Sequence, residues 1–156
     1  NVFVGILFAV GIFLFGYPGY ERKDNIAGNL ACLFALGVAL LPTNEIKGEM
    51  TWQAYLHLLC ALLLFVTLIY FSLGLFTLSK DPPENRSPRK KKRNLIYRWC
   101  GWIMVLAIGL IVVYKLSFSA SVTLAALRPV FWLEALALAA FGISWLTKAG
   151  LLFPDQ

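Results

Sequence analysis

Few side chains in this sequence are equipped for chemistry. His57 is the single histidine, and Glu134 interrupts an apolar string, Phe-Trp-Leu-Glu-Ala-Leu-Ala-Leu (131–138). A charged group at the centre of a membrane helix costs about 2.5 to 3.5 kcal/mol, and less toward the surface. Such a carboxyl therefore faces a partner or a cavity, or takes up a proton. His57 lies at a comparable depth in its own apolar run, so a polar cluster of His57, Glu134, Thr43 and Asn44 is expected. The cluster would act first as a hydrogen-bonded clamp between helices; alternatively, it would line an outer-leaflet cavity for a lipid-like ligand. Catalysis would need a nucleophile or a metal beside the pair, and one histidine falls short of the three or four ligands of a zinc site. No catalytic residue, metal-ligand set or cofactor is assigned. Cys32, Cys60 and Cys100 are well separated and lie in or beside apolar runs, which fits small polarizable packing residues.

The other conspicuous group is cationic: Arg89, Lys90, Lys91, Lys92 and Arg93 follow one another in a polar connection over 79–97. In a soluble protein this run would point to nuclear import or nucleic acid. Between two apolar segments it is first a topology signal and second a contact for anionic lipid headgroups, worth about 1 kcal/mol per basic residue near the surface. Membrane lipids, and possible further membrane subunits, are thus the expected partners, and nucleic acid is not. Three prolines and dense charge argue against packed structure in the first half of the connection.

The elements that must position these residues are apolar. Of the 156 residues, 60% are hydrophobic and 14% charged, and the mean hydropathy is +0.74, whereas a soluble domain is about a quarter charged. Apolar runs at about 2–17, 25–42, 54–78, 99–117 and 129–147 predict an all-α integral membrane bundle of about five transmembrane helices in a single domain, 1–156. Pro18-Gly19 would end the first helix, Asp24 or Asn25 would cap the second, and Pro42-Thr43 would close it. Ala31, Ala35 and Ala39, and likewise Ala135 and Ala139, recur at the small-residue spacing that lets helices approach closely or seats a neighbouring subunit. The earliest methionine is Met50, and the first run is short and lacks the basic flank and cleavage site of a signal peptide. A sixth helix upstream is therefore expected.

Alternating the connections across a membrane places Arg22, Lys23, Lys80, Arg86, Arg89 to Arg93, Arg98 and Lys148 on one side, 11 of the 14 basic residues. That side is expected to be cytoplasmic, with the Asn1 end outside and the 79–97 connection and carboxyl end inside. Trp52 and Trp132 would mark the outer boundary, and Trp99, Trp102 and Trp145 the inner one. No inverted pair of broken helices suggests a secondary transporter, and no helix carries the continuous polar stripe of a pore.

Gly-Tyr-Glu-Arg-Lys-Asp-Asn-Ile-Ala-Gly-Asn (19–29), Ala-Leu-Leu-Pro-Thr (39–43), His-Leu-Leu-Cys-Ala (57–61), Arg-Asn-Leu-Ile-Tyr-Arg (93–98), Trp-Leu-Glu-Ala-Leu-Ala-Leu (132–138) and Phe-Gly-Ile-Ser-Trp-Leu-Thr-Lys (141–148) together resemble a family of small uncharacterised bacterial multi-pass membrane proteins. The resemblance implies a bacterial inner-membrane location and a further amino-terminal helix, and it carries no activity. Helical membrane hydrolases that use several histidines, an aspartate and zinc are a more distant comparison, and their histidines are missing here. The expectation is a non-enzymatic membrane protein, an accessory subunit or lipid-contacting scaffold. An enzyme or carrier for a lipid-like ligand near His57 and Glu134 is the alternative.

Overall fold

The computed structural model describes residues 2–16, 22–43, 45–46, 49–79, 82–117 and 126–152. Among the described residues there are five α-helices: α1 (Val2–Phe15), α2 (Arg22–Leu40), α3 (Trp52–Leu73), α4 (Pro88–Ser117) and α5 (Pro129–Lys148). A two-residue antiparallel pair, β1 (Glu45–Ile46) and β2 (Glu49–Met50), pairs Glu45 with Met50 and Ile46 with Glu49. Three stretches are long and apolar enough to cross a membrane, Trp52–Thr77, Pro88–Ser117 and Pro129–Lys148. The other two expected spans fall short of that standard. At 14 residues, α1 is only ~21 Å long, against a hydrocarbon thickness of ~30 Å, and α2 opens on Arg22, Lys23 and Asp24.

Several expected boundaries move. Asp24 is not the cap of α2 but lies in its first turn, buried, where a carboxylate suits the positive end of the helix dipole. Helix α3 stops at Leu73, and a 3₁₀ turn at Leu75–Thr77 finishes the run. The largest change is in the basic connection: residues 88–97 are the opening turns of α4 rather than a loop. Ser87 is the cause, since its Oγ accepts a bond from the Lys90 N–H at 3.2 Å, and Pro88 behind it starts the helix. Proline at the first helical position loses no hydrogen bond, and a serine cap satisfies one of the free amides.

The chain packs as two compact units, residues 1–67 and 68–156. In the amino-terminal unit α1 packs on α2 through small residues. Ala27, Ala31 and Ala35 are buried, and a Cβ added to Gly28 would lie 2.6 Å from the Leu14 carbonyl oxygen. The α2–α3 approach is equally tight at Gly37, where an added Cβ would meet Cys60 Sγ at 2.5 Å.

In the carboxy-terminal unit α4 packs on α5. Asn94, Tyr97, Cys100, Gly101, Met104 and Ala107 form the buried face of α4, and Ala137, Ala140, Phe141, Ser144 and Thr147 that of α5. Ala135 and Ala139 are exposed, so the alanine stripe read from spacing faces outward. One buried bond, Ser72 Oγ to Ser144 Oγ at 2.9 Å, ties the end of α3 to α5. Around it Phe71, Phe76, Phe141 and Trp145 pack with ring centroids 5.6 to 6.3 Å apart. Trp145 is thereby half-buried in an aromatic core, unlike the exposed Trp52, Trp99, Trp102 and Trp132. Helix α5 ends in paired carboxyl-terminal bonds, Leu151 N–H to Leu146 O at 3.1 Å and Gly150 N–H to Thr147 O at 3.3 Å. Gly150 supplies the left-handed φ of 78° that this ending requires.

Candidate functional site

The first polar candidates resolve individually. His57 Nδ1 lies 2.9 Å from the Leu41 carbonyl oxygen. A carbonyl only accepts, so that nitrogen carries the proton and donates. Leu41 directly follows α2 and precedes Pro42, where helix carbonyls lack intrahelical partners. His57 thus ties α3 to the end of α2. Thr43 is exposed, and Asn44 lies outside the described residues. Glu134 is half-buried on α5 and belongs to the other unit. The three cysteines are free thiols. Among the described residues no three His, Cys, Asp or Glu side chains are grouped to hold a metal.

The richest polar geometry is at one end of the carboxy-terminal unit, where the 3₁₀ turn, the start of α4 and the end of α5 meet. Phe76 is buried in that turn, and its carbonyl accepts a bond from Lys90 Nζ at 2.9 Å. Lys90 Nζ also stands 5.8 Å from the centre of the Tyr97 ring, and Lys148 Nζ lies 5.6 Å from that of Phe76. Arg93 donates from Nε to Tyr97 Oη at 3.3 Å and from Nη2 to the Lys148 carbonyl at 3.0 Å. The last bond places the start of α4 beside the end of α5, so the two helices run antiparallel. Asn94 Nδ2 donates to the Thr77 carbonyl at 3.3 Å.

The five basic residues read together from the sequence therefore separate by geometry. Lys90 and Arg93 are half-buried and bonded to the protein, and Arg89, Lys91 and Lys92 are exposed. Burial first, and then the like charges of Lys148, Arg93 and Arg86, hold the Lys90 amine at about 8, down from its ordinary 10.5. Loss of water around the amine and the neighbouring positive charges both disfavour its charged form.

Beside this cluster is a cleft of about 210 Å³ lined by Arg86, Lys91, Asn94, Leu95 and Arg98. Asn94 is 7% exposed, and its Oδ1 is buried with no hydrogen-bond partner among the described residues. The sequence reading gave Asn94 and Tyr97 no role in a site, and Arg98 only a place among the basic residues of one membrane side. The pair Ser87-Pro88 was the available signal, because a helix beginning there puts Lys91, Asn94, Leu95 and Arg98 on one face at three- and four-residue spacing.

These features define a helical protein with, among the described residues, three helices long and apolar enough to cross a membrane, and with a cationic end on its carboxy-terminal unit. No protein-family model, curated protein or solved structure matches the chain.

Proposed function

We propose that the chain is a non-enzymatic multi-pass membrane protein, a lipid-contacting scaffold or accessory subunit anchored at a cytoplasmic, anionic membrane surface by the start of α4. The observation that carries this reading is the continuity of α4: its basic turns and the apolar run 99–117 form one helix, Pro88–Ser117. Trp99 and Trp102, 64% and 60% exposed, stand at the change from charge to grease, where indole rings favour the bilayer interface. The bonds from Arg93 to Lys148 and from Lys90 to Phe76 bring the other basic and polar ends of this unit to the same level. With that level cytoplasmic, the positive-inside rule is obeyed. A bacterial inner membrane, with the Asn1 end outside and the carboxyl end inside, accords with the family resemblance.

Mild detergent extraction followed by native mass measurement tests the proposal. The expected species is the chain with retained phospholipid or with a second subunit. A bare, lipid-free monomer overturns the scaffold and accessory readings together. Reagents that label introduced cysteines at position 92 only from the cytoplasmic face test the orientation, and labelling from outside reverses it.

A further inference from the structure

We propose that the cleft formed by Arg86, Lys91, Asn94, Leu95 and Arg98 is a specific headgroup site for one anionic phospholipid, with the acyl chain lying along α4 below it. The inference rests on the membrane reading above and adds a stoichiometric site to what would otherwise be diffuse surface attraction. Among the described residues, three cations and no acidic side chain line the cleft, an arrangement suited to a phosphate ester, whose oxygens accept several charge-assisted bonds. At about 210 Å³ the cleft is smaller than the roughly 300 to 1,000 Å³ that encloses a whole drug-sized ligand, so it takes a polar headgroup and not a complete lipid. Asn94 adds chemistry that phosphate alone does not use. Its Nδ2 is spent on the Thr77 carbonyl, leaving Oδ1 as a buried acceptor without a partner among the described residues. A headgroup that brings a hydroxyl along with its negative charge satisfies both parts of the site.

The surface below the cleft fits the rest of such a molecule. Arg98, Trp102, Leu106 and Gly109 follow one another at four-, four- and three-residue spacing, so they share a face of α4. Trp102 and Leu106 are exposed, and a Cβ added to Gly109 would meet nothing within 4 Å, which leaves a notch in the stripe. From Arg98 to Gly109 the helix rises ~16 Å, about half the ~30 Å hydrocarbon thickness and thus one leaflet deep. A free phosphate would use the cations without using this stripe.

The test uses the full chain in a neutral detergent and native mass measurement of bound lipid. Phosphatidylglycerol and phosphatidylcholine of identical acyl chains are the probes, with inorganic phosphate as competitor at constant ionic strength. Wild type should hold one phosphatidylglycerol in preference to phosphatidylcholine. Lys91→Gln with Arg98→Gln should weaken that binding roughly tenfold or more, because two near-surface cations are lost. Lys115→Gln with Arg128→Gln removes the same charge from exposed positions outside the cleft and should leave most of the binding intact. Equal loss in the two double variants overturns the site and leaves the lipid-contact reading standing. Retention of neither lipid by wild type overturns both. Displacement of phosphatidylglycerol by an equal concentration of inorganic phosphate overturns the lipid assignment in favour of a soluble phosphate ligand.

Discussion

Replacing Lys90 with methionine should remove a pH dependence of stability that the wild-type chain carries. Lys90 lies in the polar turns ahead of the apolar part of α4, and its amine is held at about 8 by burial and by Lys148, Arg93 and Arg86. The unfolded chain binds this proton up to its ordinary 10.5. Between the two values the unfolded state therefore holds more protons than the folded one, and stability rises with pH across that window. Below about 8 both states are charged and the full penalty of the buried cation applies. Undiminished, the difference would be ~3 kcal/mol. The amine keeps much of its contact with water, however, and screening reduces the expected effect to about 1 kcal/mol. For a unit of this size that is a rise in Tm of roughly 4–8 °C from neutral pH to pH 10. Methionine keeps an apolar stem against Tyr97 without the charge, so thermal unfolding of Lys90→Met in neutral detergent should lack this component. The gap between the two proteins should be widest at neutral pH and narrow as pH rises. Parallel profiles for wild type and variant would refute the reasoning, as would a wild-type stability that falls between pH 8 and 10.

Four further outcomes can be checked by thermal or denaturant unfolding in the same detergent. Gly28→Ala should destabilise the α1–α2 packing by about 1–3 kcal/mol, because its Cβ would press on the Leu14 backbone. Gly11→Ala should be near neutral, since its closest neighbour would be Ala35 Cβ at 3.4 Å. His57→Ala leaves the Leu41 carbonyl without its donor and should cost about 1–2 kcal/mol, read as lowered stability and not as lost turnover. Ser72→Ala and Ser144→Ala should each cost about 1 kcal/mol, and the double variant should cost clearly less than their sum, because each single change strands the other buried hydroxyl.

Much of the helical order is legible in the sequence, since apolar runs and prolines are local signals. All five expected runs contain a helix, and Pro42 and Pro129 mark the end of α2 and the start of α5 within a residue or two. The start of α4 was hidden by its own composition. Three prolines and a block of cations read as unpacked chain, although Lys and Arg are good helix formers once a cap and an N1 proline are supplied. Ser87-Pro88 supplies both. Of the five, α1 is short and α2 begins with charge, so among the described residues the other three meet the length and composition of a membrane span.

The sequence by itself determined that the chain is apolar and helical, and where its positive charge is concentrated, because hydropathy and charge are sums over residues. Tertiary structure alone decided which cations turn inward. Lys90 and Arg93 are separated from Arg89, Lys91 and Lys92 by their angular position on α4 and by the carbonyls that the 3₁₀ turn and the end of α5 bring within reach. It also decided that His57 would tie α3 to the end of α2 and that the buried Asn94 would help to line a cationic cleft. Those roles depend on groups 14 to 55 positions apart in the chain, a distance across which spacing in the sequence carries no directional information.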